Sequence, residues 1–275
     1  MKNYYARNFL SFAIIYRVGY AVFSSLFVPS FLFGIFFANP AQPNLQTKGL
    51  IQTPSSWYCL RIGYVSDHVY RQAYKDECQP LNFPSANARL VTDASLITIN
   101  FGSLLDLNLL VGSSQLQIDH EIFTKREFSW AAGGKLLFFQ NEQIYCAFDL
   151  KYFETNQKPL YFVAEGVSYN VLSRFKLEYI EIQAALGLGV RSSWMVPYAY
   201  VTYLYSKIDP TPLMVVLKYP FSKGSFDTTS RPFIDARRWG MSLGATILGA
   251  AEGSLTVETR FFNQNAVTVT GEVRF

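Results

Sequence analysis

Side-chain alternation at period two constrains this chain more than any other feature. From Ile180 to Val190 the even positions are Ile180, Ile182, Ala184, Leu186, Leu188 and Val190. The odd positions are Glu181, Gln183, Ala185, Gly187 and Gly189. Successive side chains of a strand point to opposite faces, so the segment has one apolar face and one small, polar face. Wound as a helix, it would place Glu181 and Gln183 among the apolar side chains, so it is expected to be a strand. The pattern recurs along the chain. Leu105, Leu107, Leu109 and Val111 oppose Asp106 and Asn108. Phe128, Trp130, Ala132, Gly134, Leu136 and Phe138 oppose Ser129, Gly133 and Lys135. Ile144, Cys146, Phe148, Leu150 and Tyr152 oppose Tyr145, Ala147, Asp149 and Lys151. Trp239 to Ile247, Val257 to Phe261 and Val267 to Phe275 repeat it.

Turn residues separate these runs: Gly112-Ser113-Ser114, Gln140-Asn141-Glu142, Arg191-Ser192-Ser193 and Asn263-Gln264-Asn265. Residues 57–275 are therefore expected to hold about twelve antiparallel strands, within a range of roughly ten to sixteen. Two all-β architectures suit them, a soluble sandwich or barrel and a transmembrane β-barrel. A soluble barrel fills its interior with bulky apolar side chains. Here the face opposite the apolar one carries charges together with Gly, Ala and Ser, as the lumen side of a membrane barrel does. Only 16% of residues are charged, against about 25% in an average soluble domain. Tyr198, Tyr200, Tyr203, Tyr205, Trp130, Trp194 and Trp239 are expected in the aromatic girdles of such a barrel. The chain ends on an alternating strand closing at Val273 and Phe275. Outer-membrane barrels commonly finish in this way, and the assembly machinery reads that strand.

The first 38 residues form a separate unit. Lys2, Arg7 and Arg17 precede an uncharged apolar run over 18–38. A basic start followed by an apolar run reads as a secretory signal, and Ala38 suits the last position before cleavage. The run is also long enough to span a bilayer as a helix, so an uncleaved anchor is the alternative. Either way the chain enters the export route. Residues 39–56, beginning Asn39-Pro40 with Pro43 following, are expected to be extended.

Net charge is +4, but three of the 24 basic residues lie in that first unit, which has no acid. The remainder is close to neutral and lacks the basic footprint of a nucleic-acid binder. Three cysteines are too few for a disulfide-built scaffold. Two histidines, His68 and His120, leave little for a zinc site or a histidine base. Asp67-His68 and Asp119-His120 are adjacent pairs, and neighbours on a strand face opposite ways. No metal, cofactor or catalytic site is expected.

Read in order, several blocks resemble the major outer membrane porins of chlamydiae. They are Asn39–Leu45 (NPAQPNL), then Trp57, Cys59, Arg61, Gly63 and Tyr64, then Leu105–Gly112, Phe128–Gly133 and Glu181–Tyr198. The last are Val257–Arg260 and the closing Val273-Arg274-Phe275. This chain is identified as a shorter, cysteine-poor relative. The resemblance implies a porin of the cell outer membrane that passes ions and small hydrophilic solutes. Its partners would be outer-membrane lipid and the barrel-assembly machinery, with homo-oligomers among the allowed assemblies. It also implies envelope disulfides, for which only Cys59 and Cys146 fall in matching strands.

For such a protein the functional site is the lumen. By alternation Arg61, Asp106, Lys135, Asp149, Lys151 and Glu181 face it, as do Glu258, Arg260, Glu272 and Arg274 on the last two strands. Glu272 and Arg274 are expected to pair across to Arg260 and Glu258. Mixed rings of this kind filter permeants by charge and size. The alternative is a structural or surface-interaction barrel whose interior is filled and conducts nothing. A protein tethered by its N-terminal helix and folded as a soluble sandwich is a third reading. The polar stretch Asp227–Ser230 reads as a solvated surface loop or a partner-binding one.

Overall fold

The alternating segments form strands that close on themselves. A computed structural model describes Asn39 and residues 57–76, 86–102, 104–119, 122–164, 167–170, 176–192, 194–210, 213–218, 223–228, 232–248 and 253–275. Residues 1–38, Cys78 and His120 lie outside these residues, as do all of 39–56 except Asn39.

Ten strands make the ring. They are β1 (Tyr58–Asp76), β2 (Ala86–Phe101), β3 (Leu105–Ile118), β5 (Glu127–Gln140) and β6 (Ile144–Gln157). The others are β9 (Leu177–Val190), β10 (Met195–Pro210), β14 (Trp239–Leu248), β15 (Gly253–Phe261) and β16 (Gln264–Arg274). Each pairs antiparallel with the next, and β16 closes on β1 from Arg61↔Arg274 to Gln72↔Gln264. Six shorter strands complete the described set: β4 (Ile122–Thr124), β7 (Pro159–Ala164), β8 (Val167–Asn170), β11 (Leu213–Lys218), β12 (Lys223–Thr228) and β13 (Phe233–Asp235). The expected twelve thus becomes a ring of ten, because these short strands extend the rim or pair among themselves. β4 joins β3 to β7, and β13 joins β1 to β10 above the shorter β14–β16. β11 and β12 pair as a hairpin of their own, so Asp227 and Thr228 belong to a strand rather than a loop.

The two ends differ. The start of β1 and the end of β16 share one rim with short connections at 102–104, 141–143, 191–194 and 249–252. At the other rim, 77–85, 119–126, 158–176 and 211–238 connect ring strands, and the two-residue turn 262–263 joins β15 to β16. Short turns on the side of the strand termini and longer loops opposite match the periplasmic and extracellular ends of an outer-membrane barrel.

Exposure is inside out. Leu186 (56%), Leu188 (55%) and Leu243 (50%) face outward, while Lys135, Asp149 and Glu258 are completely buried. A soluble barrel would reverse this, because isolated charges are costly to bury and apolar side chains favour the interior. Outward aromatics flank the apolar band, with Trp57, Tyr58, Phe138 and Trp194 at the termini end and Tyr64, Phe128, Trp239 and Phe261 at the loop end. The chain is a transmembrane β-barrel of the outer-membrane kind.

Two expectations need correcting. Gly112-Ser113-Ser114 is not a turn but the interior of β3. A Cβ on Gly112 would lie 2.1 Å from the Asp93 carbonyl oxygen, so the glycine permits close approach of β2. Ser114 points inward and donates to Thr155 Oγ1 (3.0 Å). Tyr198 and Tyr200, unlike Tyr203 and Tyr205, point into the lumen rather than joining a girdle. They cover Gly244 and Gly187, where a Cβ would lie 2.3 Å from Tyr198 Cζ and 2.2 Å from Tyr200 Cε1.

Candidate functional site

The inner face is layered along the barrel axis. On the loop side an apolar cluster, including Val69, Tyr74, Leu90, Leu116, Phe153, Leu177, Tyr179 and Ile208, packs beside the buried, hydrogen-bonded Gln72, Ser114, Thr124 and Gln157. β1 and β9 stand five places apart in either direction around the ring. At this level, however, β13 bridges β1 to β10 in place of β14–β16, so β9 is three places from β1 on that side, and Tyr74 Oη donates to Tyr179 Oη at 3.4 Å inside the barrel. Phe153 meets Tyr179 edge-on at 5.8 Å between centroids.

Below this layer the lumen is polar, and the expected charged residues meet there. Arg61 Nη2 pairs with Asp106 Oδ2 at 2.5 Å, and its Nε lies 3.9 Å from Glu272 Oε1. Asn100 donates to Asp106 (2.8 Å), and Thr98 donates to Glu272 (3.3 Å). Lys135 Nζ lies 3.4 Å from Asp149 Oδ2 and 5.9 Å from the centre of the Tyr200 ring. Tyr198 Oη donates to Glu258 Oε2 (2.9 Å). Glu181 accepts from Tyr179 Oη and Gln183 Nε2. Lys151 and Arg274 are buried on the same inner face.

The expected cross-pairing of the last two strands does not form as drawn. The tight turn at 262–263 sets Glu258 opposite Thr268 and Arg260 opposite Ala266, which leaves Glu272 opposite Ser254. Arg260 instead reaches Asp67 on β1 at 2.5 Å, and Thr268 donates to the same carboxylate oxygen (2.5 Å). Alternation identified the face of each residue, but partner choice depended on the hairpin register. Asp67 was missed as a lumen residue because it was weighed only as a partner of His68. The two do point apart, with Asp67 inward and His68 outward beside Tyr70.

Cys59 and Cys146 are not bonded to each other. Cys59 lies on the lumen face of β1, where its thiol donates to Asn100 Oδ1 at 3.8 Å. Cys146 lies on the lipid face of β6, four places around the ring, and both are free thiols. Sequence spacing could not exclude this pairing; the opposite faces do.

One lumen contact comes from outside the ring. Asn39 is fully buried. Its Nδ2 donates to the Val196 carbonyl (2.8 Å) and Thr246 Oγ1 (3.0 Å), and its own carbonyl accepts from Lys135 Nζ (3.0 Å).

No family model and no curated protein matches the chain. Among solved structures it is similar to the translocator domain of the autotransporter NalP from Neisseria meningitidis. The identity is 10% and the TM-score 0.46, over 86% of this chain and 92% of that one. The beta domain of the Bordetella autotransporter BrkA has 8% identity and a TM-score of 0.41, over 80% and 99%. Ail of Yersinia pestis has 10% identity and a TM-score of 0.34, over 79% and 97%. These likenesses say nothing of what this chain does.

Proposed function

We propose that this protein is a closed outer-membrane barrel with a packed interior, serving as a structural or surface-interaction element rather than as a solute-conducting porin. The contact of Tyr74 with Tyr179 carries the reading. Two strands that are not neighbours in the wall, β1 and β9, touch through their side chains inside an apolar layer. Ions and hydrophilic solutes would have to pass between these packed side chains. Below that layer Arg61 pairs with Asp106, Lys135 with Asp149 and Arg260 with Asp67, as in a filled interior. A ring of ten strands also encloses far less room than the 16–18 strands of water-filled porins.

The surface role is supported at the loop end. A cavity of about 270 Å³ opens on the outer wall between Tyr70, Arg71, Asn87, Arg89 and Asp119. Both arginines are exposed. The sequence blocks shared with chlamydial major porins make this chain, in the same proposal, a relative in which conduction has been given up.

Planar-bilayer conductance of the purified full-length protein tests the reading, with a heat-modifiability gel to certify folding. A heat-shifted band with a silent bilayer is expected. Discrete conductance steps from the folded protein would overturn it and restore the porin.

A further inference from the structure

We propose that hydrolysis of the Ala38–Asn39 bond makes Asn39 the mature N-terminus, and that its α-ammonium is bound inside the lumen by Asp149. The inference rests on the packed lumen described above, but its test does not depend on whether the barrel conducts.

Three observations converge. The first is position. Asn39 is held in the polar half of the lumen from three sides, by Lys135 on β5, the Val196 carbonyl on β10 and Thr246 on β14. The chain immediately before it is the uncharged run 18–38, rich in Phe, Leu and Val. Attached to Asn39, that run would continue from a site lined by charges, whereas its composition belongs in a bilayer. Removing it resolves the conflict.

The second is charge balance. Among the described residues the membrane-level lumen buries six acids, Asp67, Asp106, Asp149, Glu181, Glu258 and Glu272. It buries five bases, Arg61, Lys135, Lys151, Arg260 and Arg274. Asp235 is excluded because it lies at the rim, where Arg238 pairs with it at 3.5 Å. Counted as ionised, these described residues are one positive charge short of neutral, and an uncompensated buried charge is strongly destabilising. An α-ammonium at Asn39 supplies that charge.

The third is the acceptor. Asp149 is completely buried and neither carboxylate oxygen accepts a hydrogen bond. Its ion-pair partner Lys135, at 3.4 Å, is the side chain that also holds the Asn39 carbonyl. Among the described residues, the one buried carboxylate with both oxygens open therefore adjoins the residue whose amine cleavage would create.

The step balances simply. A peptidase of the export route adds water across the Ala38–Asn39 amide, leaving a carboxylate on Ala38 and an amine on Asn39, which takes up a proton. The leader departs with Ala38. The new terminus then acts as an intramolecular ligand, held near its site by the chain that joins it to β1.

The test uses the full-length chain expressed with its leader and recovered folded from outer membranes. Water-soluble amine acylation is run on the folded and the denatured protein, and N-terminal peptides are read by mass spectrometry. The expected result is an N-terminal peptide beginning at Asn39 whose α-amine is acylated at least about tenfold more slowly in the folded protein. Asp149→Asn, once shown to fold by heat-modifiability, should lose most of that protection. If Asp149→Asn does not fold, the wild-type comparison alone decides. A mature chain that retains the leader or begins elsewhere would overturn the proposal. Equal acylation in both states, or full protection in folded Asp149→Asn, would do the same. A conducting barrel with a protected Asn39 amine would sink only the closed-lumen reading, and a silent barrel beginning elsewhere only this one.

Discussion

Gly244→Ala should destabilise the barrel, although replacing a strand glycine by alanine ordinarily stabilises by about 0.5–1 kcal/mol. Gly244 lies beneath Tyr198, and a Cβ there would lie 2.3 Å from Cζ and 2.4 Å from Oη. The ring must move, which costs about 1–3 kcal/mol as overpacking. Its movement strains the bond from Tyr198 Oη to Glu258, 2.9 Å long and buried. A hydrogen bond to a charged group contributes about 1.5–3 kcal/mol. Offset by the backbone gain, the net expectation is a loss of about 2–4 kcal/mol. Gly271 is the control, since nothing lies within 4 Å of the Cβ it would gain. Gly271→Ala should be neutral or stabilising by up to about 1 kcal/mol. In a Tyr198→Phe background, Gly244→Ala should lose only the steric part. The assay is urea unfolding of the refolded barrel in lipid vesicles, followed by tryptophan fluorescence and the heat-shifted gel band. If Gly244→Ala proves as harmless as Gly271→Ala, the packing of tyrosine over glycine described here is wrong.

Other outcomes follow from the same geometry. Leu243→Arg puts a cation on the lipid face near the middle of β14 and should cost about 2–4 kcal/mol, read as a lowered urea midpoint. Arg260→Ala leaves Asp67 buried without its counter-charge and should cost about 3–5 kcal/mol. The double variant Arg260→Met/Asp67→Leu should recover much of that loss, and a double-mutant cycle on unfolding free energies would show whether it does. Differential alkylation before and after reduction, read by mass spectrometry, should find Cys59 and Cys146 unlinked to each other. A cross-linked peptide containing both would contradict the placement of Cys146 on the lipid face.

How much was legible depended on whether a feature was local. The alternation of β9 and β16 is written in consecutive residues, so the strands, their apolar faces and the lumen position of Arg61, Lys135 or Glu258 could be read directly. Gly112-Ser113-Ser114 misled because a glycine that permits close strand packing looks the same, in sequence, as one that permits a turn. Tyr198 and Tyr200 misled because tyrosine suits both a lipid interface and a cover over glycine. The glycines that decide between these, Gly187 and Gly244, sit on neighbouring strands. The Arg260–Asp67 pair and the Tyr74–Tyr179 contact join residues 193 and 105 positions apart. They depend on ring size and register, which no local pattern carries. In sequence Asn39 opens the NPAQPNL block and follows the expected cleavage position; its place inside the lumen is a tertiary fact.

The central claim is a lumen closed to water inside a lipid-facing ring, and thiol reactivity at one lumen position tests it most directly. Ser242 is completely buried on the inner face of β14. Ser242→Cys nearly preserves its size, and the folded full-length variant can be treated with a charged, water-soluble thiosulfonate. The account predicts no labelling at position 242 until the barrel is unfolded, followed by complete labelling. Labelling of the folded barrel at the rate of a solvent-exposed thiol would mean a water-filled channel and would contradict the account.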